Sequence, residues 1–124
     1  MIKPRVLIVD DDAEIRSSLP TFLNMIMNCD IVVKSNGSDA IEVLDKEEFH
    51  IIIQDLQMPG IDGFTVLNHA IKRNPKIIKI VLTGLADPAV TRKVESMGAV
   101  YVSKPPELKV LELIIQRELQ KAEG

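Results

Sequence analysis

The chain has 124 residues, the size of one ordinary domain, and 46% of them are hydrophobic, which is enough to fill a single core. The 15 lysines and arginines and the 18 aspartates and glutamates leave a formal net charge of -3, which argues against a nucleic-acid or anionic-membrane surface spread over the domain. The N-terminal segment is too short and too acidic for a signal peptide, and no apolar run approaches the roughly 20 residues of a membrane helix. The single cysteine, Cys29, allows no internal disulfide and favours a reducing compartment. These features predict one soluble, cytoplasmic domain over residues 1–124.

Short apolar runs alternate with segments of helical periodicity along the whole chain. The runs predict strands at 5–9, 31–34, 51–54, 79–82 and 100–102. The periodic segments predict helices at roughly 13–28, 38–48, 63–74, 88–97 and 106–122. Because the apolar runs are continuous rather than alternating, each strand is expected to be covered on both faces, as in a parallel sheet. The pattern is typical of an α/β fold, a three-layer doubly wound sheet of five βα units.

Two helices carry features of their own. Pro20 falls inside the first helix and is expected to kink it without ending it. In the last helix a stripe of apolar residues has the spacing of a packed face: Leu108, Leu111, Ile115 and Leu119. Three further apolar positions, Val110, Leu113 and Ile114, make this face wider than one core stripe needs, which suggests either deep burial or a partner surface.

Polar side chains follow four of the five predicted strands, and ligands of doubly wound sheets bind outside these carboxyl ends. The residues that occupy them are Asp10, Asp11 and Asp12 after the first strand, Asp55 after the third, Thr83 after the fourth and Lys104 after the fifth. Asp is also favoured at helix N-caps, and we assign that role to Asp12 and to Asp62. Asp55 has no such explanation, because no helix follows it directly and a Pro-Gly turn, Pro59–Gly60, intervenes.

Three carboxylates with one lysine need a further cation, because two carboxylates about 4 Å apart repel by roughly 4 kcal/mol at an effective dielectric constant near 20. Hard oxygen ligands with room for water suit Mg²⁺. His50 and His69 are isolated in the sequence and are expected to be surface or packing residues rather than ligands. The sequence thus predicts a magnesium site with Lys104 and Thr83 beside it, a setting suited to the oxygens of a phosphoryl group.

The segments "VLIVDDDAEIR", "QDLQMPGIDGF", "IVLTG" and "YVSKP", in this order over the whole chain, resemble the receiver domain of two-component response regulators. The resemblance implies a flavodoxin-like sheet of strand order 2-1-3-4-5. It also implies a role for each of seven residues: Asp55 as phosphoacceptor, Asp10 and Asp11 as the acidic pair that binds Mg²⁺, the Gln57 carbonyl as a further ligand, Lys104 as partner of the phosphoryl group, and Thr83 and Tyr101 as switch residues.

By the same resemblance, the chain is expected to accept a phosphoryl group from a sensor histidine kinase or a phosphotransfer protein. It would catalyse only its own phosphorylation and dephosphorylation, and so act as a signalling switch rather than as a metabolic enzyme. The fourth helix, fifth strand and fifth helix would form the readout face, which would bind a second copy or a downstream effector.

The sequence departs from the pattern of this family near the fifth strand. Receiver domains commonly have two residues between the Gly-Ala pair and the switch aromatic, whereas this chain has only Val100. The turn into the fifth strand should then be tighter, or its register shifted. Pro106 also stands where an aromatic or other apolar residue is usual.

Two other functions remain open at this point. A receiver-fold module that binds partners without phosphorylation would not need the acceptor residues, all of which are present. A Mg²⁺-dependent phosphohydrolase usually needs a general acid two residues after its nucleophile, where this chain has Gln57.

Overall fold

The computed structural model describes residues 3–84 and 87–123, in which five strands and five helices alternate. The strands are β1 (Arg5–Val9), β2 (Asp30–Lys34), β3 (Ile51–Gln54), β4 (Ile78–Thr83) and β5 (Val100–Ser103). The helices are α1 (Ala13–Ile26), α2 (Gly37–Lys46), α3 (Gly63–Arg73), α4 (Pro88–Ser96) and α5 (Leu108–Glu123). The predicted elements are all confirmed, with ends that differ by at most two residues.

The strands form one sheet of order β2-β1-β3-β4-β5, in which every neighbouring pair is parallel. The doubly wound fold and its strand order are therefore confirmed. One transverse row of the sheet matters for the site. In it Val9 lies opposite Gln54, Gln54 opposite Val81, and Val81 opposite Tyr101.

The helices bury two separate apolar layers, one on each face of the sheet. Helices α2, α3 and α4 cover the first layer, which we call the α2–α4 layer and which contains Val9, Ile52 and Val81. Helices α1 and α5 cover the second, the α1/α5 layer, which contains Ile51 and Ile53. Alternate residues of one strand point to opposite faces of a sheet, so a continuous run of isoleucines fills both layers.

The predicted helix caps are confirmed. The side chain of Asp12 accepts a hydrogen bond from the backbone N–H of Glu14 at the start of α1, and that of Asp62 accepts one from Thr65 at the start of α3. Helix α1 continues through Pro20 to Ile26, as expected.

One prediction for α5 is wrong. Leu111 and Ile115 are buried and Leu119 packs against the α1/α5 layer, but Leu108 is 47% exposed. Leu108 is the first residue of α5, so it precedes the part of the helix that the sheet covers. Within residues 3–84 and 87–123, no helix is long and apolar enough to cross a membrane.

Candidate functional site

Three carboxylates meet at the carboxyl ends of β1 and β3, two strands that lie side by side. Asp10 directly follows β1 and Asp55 directly follows β3, and each is only 2% exposed, whereas Asp11 is exposed. One oxygen from each of the three lies within 4.8 Å of the others. The structure therefore brings together the acids that the sequence placed at this edge.

Lys104 extends over this cluster from the end of β5. Its Nζ lies 2.8 Å from Oδ2 of Asp10 and 3.3 Å from Oδ2 of Asp55. The backbone N–H of Lys104 donates to the carbonyl of Thr83 at 2.9 Å, which ties the end of β5 to the end of β4. One ammonium group thus bridges two buried carboxylates.

Backbone donors hold the two buried acids in place. The N–H of Asp12 donates to Oδ1 of Asp10 at 2.9 Å, and the N–H of Gln57 donates to Oδ1 of Asp55 at 3.1 Å. The guanidinium of Arg16 also donates to the carbonyl of Asp10 at 3.1 Å. Such bonds fix the direction of each carboxylate before any ligand binds.

The site shifts the pKa of two of its groups. Burial raises the pKa of Asp55 from its ordinary value of 3.8 to about 6; the Gln57 N–H and Lys104 oppose this shift, while the charge of Asp10 adds to it. Burial lowers the pKa of Lys104, but the hydrogen bonds and charges of Asp10 and Asp55 outweigh burial and leave that pKa above its usual range. A further cation beside Asp55 would therefore favour its ionised form.

The donor set fits a hard divalent cation. Three carboxylate oxygens can reach one point, and the exposure of Asp11 leaves the cluster open to water, which Mg²⁺ retains when it binds to proteins. His50 and His69 lie elsewhere, as expected. His50 Nδ1 accepts the N–H of Arg5 at 2.9 Å, and His69 Nε2 lies 2.8 Å from Oδ1 of Asp45.

The two predicted switch residues lie in different surroundings. Thr83 is the last residue of β4 and is fully buried, whereas Tyr101 lies in β5 and is half-buried against the α2–α4 layer. Gly98 takes a positive φ of 74° after α4, and β5 starts two residues later at Val100. Only glycine adopts this φ without strain, so Gly98 permits the short turn.

Two residues near Asp55, Gln54 and Gly63, were not predicted from the sequence to be part of the site. The side chain of Gln54 donates from Nε2 to the backbone carbonyl of Asp55 at 2.8 Å. A Cβ on Gly63 would lie 2.4 Å from the same carbonyl oxygen, so only glycine lets α3 approach it this closely. The signal for Gln54 was one amide ending an otherwise apolar run, and the signal for Gly63 was a glycine directly after a helix cap.

Solved structures of receiver domains resemble the whole chain. A CheY-like receiver domain protein from Methanospirillum hungatei JF-1 has a TM-score of 0.91 and 27% identity, with 98% of each chain covered. The receiver domain of DrrB, a Thermotoga maritima protein, in its BeF3-activated form has a TM-score of 0.85 and 26% identity, with 96% of this chain and 99% of that chain covered.

Curated relatives are longer than this chain. The probable transcriptional regulator ycf27 of Guillardia theta is 38% identical over 96% of this chain and 46% of its own length. The response regulator protein FleR of Pseudomonas aeruginosa is 32% identical over 97% of this chain and 26% of its own length. The chain thus spans about half the length of the first relative and a quarter of the second. The family model described as the response regulator receiver domain matches residues 6–116, and the chain belongs to this family of two-component signalling domains.

Proposed function

We propose that the chain accepts a phosphoryl group on Asp55 and so acts as a phosphorylation-dependent switch. The observation that carries the proposal is the position of this carboxylate. It is buried, it directly follows a central strand, and it lies within reach of one lysine and two further acids. Carboxylates with a purely structural role are rarely buried beside other carboxylates. A carboxylate that accepts a phosphoryl group, in contrast, needs a lysine and metal-binding acids close to it.

In the proposed reaction, a phosphohistidine of a sensor histidine kinase or a phosphotransfer protein is the phosphoryl donor. A carboxylate oxygen of Asp55 attacks the phosphorus, the bond from phosphorus to the imidazole nitrogen breaks, and the electron pair of that bond stays on the imidazole. Water later attacks the phosphorus of the acyl phosphate, and the carboxylate of Asp55 leaves unchanged. The domain would then catalyse only its own phosphorylation and dephosphorylation.

Asp10, Asp11, Asp55 and the backbone carbonyl of Gln57 would hold Mg²⁺. When bound, the ion neutralises negative charge on the transferred group. Lys104 would bind an oxygen of the phosphoryl group, and the backbone bonds to Asp10 and Asp55 keep both carboxylates aimed at the same place.

The added charge would then change the conformation of residues at a distance from Asp55. Phosphorylation replaces about one negative charge with roughly two and adds acceptor oxygens. Thr83 would donate to one of these oxygens from the end of β4, and Tyr101 would change its position in β5. Three apolar side chains of α5 are exposed and would join the surface that binds a second copy or an effector: Leu108, Val110 and Leu113.

The partners and setting form part of the same proposal. The donor would be a sensor histidine kinase or a phosphotransfer protein, and the reaction would take place in the cytoplasm. Residues 1–124 would act as one receiver unit, which is supported by the single sheet that all five strands share. Direct contact with nucleic acid or membrane is not expected of this unit, because its formal net charge is -3.

The test is intact mass spectrometry after incubation with Mg²⁺ and acetyl phosphate. We expect one added phosphoryl group on the native chain, lost on treatment with hydroxylamine, and none on an Asp55→Asn variant. Asp12→Asn is the matched control, because Asp12 stands beside the acidic pair but serves as a helix cap, a role that asparagine also fills.

The outcomes separate the candidate functions. No adduct on the native chain, with either acetyl phosphate or a phosphorylated kinase, would leave the phosphorylation-independent binding module as the better description. Steady multiple turnover of phosphate monoesters would instead indicate a phosphohydrolase.

A further inference from the structure

Gln54 is a fully buried amide within the apolar interior of the protein. It ends β3, and its neighbours in the transverse row of the sheet are Val9 and Val81, both in the α2–α4 layer. Strand residues two apart share a face, so Gln54 lies on the same face as Ile52, which belongs to that layer. An amide at such a position loses its bonds to water and needs other partners.

Only half of this amide is satisfied. Nε2 donates to the backbone carbonyl of Asp55 at 2.8 Å, while Oε1 is buried and has no hydrogen-bond partner in the described part of the chain. The opposite assignment of the two amide atoms would turn Oε1 towards the carbonyl oxygen, where two acceptors would repel each other. Methionine, of similar size and with no polar atoms to satisfy, would avoid the penalty of the unpaired oxygen.

The bond that Gln54 does make is formed at the nucleophile's own peptide group. The pairing of β1 with β3 ends at Val9 and Gln54, so the carbonyl of Asp55 lies one residue beyond the last paired position. Gly63 packs closely against this carbonyl: a Cβ added at Gly63 would lie 2.4 Å from the carbonyl oxygen. This close packing restricts the space for a water molecule beside the oxygen. Gln54 therefore supplies a donor where the sheet no longer does.

The remaining polar groups of Asp55 are fixed as well. Its N–H donates to the carbonyl of Val9 at 2.9 Å, and its Oδ1 accepts the N–H of Gln57 at 3.1 Å. The peptide that joins Asp55 to Leu56 is followed by the Leu56–Gln57 peptide, whose N–H is the donor to Oδ1 of Asp55. A donor that holds the carbonyl of this peptide also limits rotation of the loop that orients the carboxylate.

We infer that Gln54 is a positioning residue for phosphoryl transfer: its side-chain amide anchors the peptide after Asp55 and so holds the acceptor carboxylate and the Gln57 backbone in their reactive arrangement. The inference rests on the proposed function of Asp55. It adds a residue that touches none of the reacting atoms but acts through the backbone between Asp55 and Gln57.

The experiment compares Gln54→Met with Ile52→Met, a substitution on the same strand and face and equally buried. Both variants and the native protein are phosphorylated with acetyl phosphate and Mg²⁺, and the rate of adduct formation is followed by intact mass. Urea unfolding is measured for all three. Because a misplacement of about 1 Å can slow a reaction by up to about a hundredfold, we expect Gln54→Met to react about tenfold more slowly. Its unfolding midpoint should stay close to that of Ile52→Met. The substitution removes the unpaired Oε1 of Gln54, but it also leaves the Asp55 carbonyl oxygen without its donor.

A rate for Gln54→Met equal to that of Ile52→Met, with the native protein phosphorylated normally, overturns the inference and leaves the proposed function intact. A native protein that forms no adduct overturns the proposed function and this inference with it. If Gln54→Met does not fold, the test moves to the native chain. The side-chain amide signal of Gln54 in a ¹⁵N spectrum should shift when beryllofluoride and Mg²⁺ are added, and an unchanged signal overturns the inference.

Discussion

The ammonium nitrogen of Lys104 lies 2.8 Å from Oδ2 and 3.1 Å from Oδ1 of Asp10, so one lysine contacts both oxygens of a buried carboxylate. The contact with Asp55 is longer, at 3.3 Å. Without a metal ion, the lysine therefore neutralises Asp10 first and leaves Asp55 less well compensated, in agreement with the raised pKa of Asp55. A cation that binds the acids competes with Lys104 for Asp10 and would leave the lysine available to a phosphoryl group.

The first prediction concerns the Lys104→Met variant. Removing one partner of a buried ion pair leaves an uncompensated charge and typically costs 3–5 kcal/mol; because Lys104 is 19% exposed, we expect a loss of about 3 kcal/mol in the free energy of unfolding without metal. Adding Mg²⁺ should stabilise the variant more than the native protein, since the lysine no longer repels the ion. Urea unfolding in EDTA and in Mg²⁺ measures both effects.

Lys109→Met is the control for this experiment, because the side chain of Lys109 is 80% exposed. It should change the free energy of unfolding by less than about 0.5 kcal/mol. Equal stabilisation of native protein and Lys104→Met by Mg²⁺ would show that lysine and metal do not compete.

The second prediction is a dependence of stability on pH in the absence of metal. Folding raises the pKa of Asp55 from 3.8 to about 6, so between these pH values the folded state binds more protons than the unfolded state. The contribution of Asp55 to the free energy of unfolding must then fall as pH rises from 4 to 6, by up to about 3 kcal/mol. Asp55→Asn stays neutral throughout. Its stability relative to the native protein should therefore increase over this range and level off above pH 7.

Chemical unfolding at several pH values in EDTA tests this dependence. Thr21→Ala, an exposed substitution that removes no ionisable group, should give a difference from the native protein that is flat over the same range. A difference for Asp55→Asn that is equally flat, or that shrinks as pH rises, would mean that Asp55 ionises readily in the fold.

The positions of the acids could be predicted from the sequence, because they follow from topology. Residues that follow the parallel strands of one sheet lie along the same edge, so the sequence alone predicts that Asp10, Asp55 and Lys104 lie near one another. The bond from Gln54 to the Asp55 carbonyl could not be predicted, since it depends on where strand pairing ends. The exposure of Leu108 could not be predicted either. Hydrophobic periodicity shows which face of a helix is apolar, but not how far along the helix the sheet covers that face.

The third prediction compares Gly63, the first residue of α3, with Gly60 in the loop that precedes this helix. A Cβ at Gly63 would lie 2.4 Å from the Asp55 carbonyl oxygen and 3.0 Å from Cα of Leu56, both backbone atoms that cannot move aside. Gly63→Ala should therefore destabilise the protein by more than about 3 kcal/mol and slow phosphorylation of the fraction that folds. Thermal unfolding and the rate of adduct formation measure the two effects.

Gly60 provides the matched substitution. It has a positive φ of 83°, but an added Cβ would meet no atom within 4 Å, so Gly60→Ala meets backbone strain alone, worth about 1–2 kcal/mol. A smaller loss for Gly63→Ala than for Gly60→Ala would refute the close packing of α3 on the backbone at Asp55 and Leu56.

The fourth prediction concerns the apolar surface of α5. Leu113 is 55% exposed, and burying such a side chain in an interface contributes about 1.5–3 kcal/mol. If the phosphorylated protein self-associates through this helix, Leu113→Lys should weaken the association at least about tenfold, which corresponds to 1.4 kcal/mol. Sedimentation analysis with and without beryllofluoride measures the association. Met25→Lys, at a 79% exposed position on α1, should leave it unchanged.

The fifth prediction uses the aromatic composition of the chain, which has one tyrosine and no tryptophan. Intrinsic fluorescence excited at the tyrosine band therefore reports on Tyr101 alone. Because Tyr101 is half-buried against the α2–α4 layer, a change in its position on phosphorylation should change its emission. Addition of Mg²⁺ and beryllofluoride to the native protein should produce this change, and Asp55→Asn should abolish it.

A Thr83→Ala variant then tests whether the hydroxyl of Thr83 couples phosphorylation of Asp55 to the change at Tyr101. We expect it to be phosphorylated on Asp55 but to show less than half of the native fluorescence change, because one charge-assisted hydrogen bond of about 1.5–3 kcal/mol is a large share of the roughly 5.5 kcal/mol that a full population shift requires. Thr21→Ala, on the exposed side of α1, should behave like the native protein. A full fluorescence change in Thr83→Ala would show that Tyr101 responds to phosphorylation by another route, and the backbone bond from Lys104 to the Thr83 carbonyl would be the next connection to test.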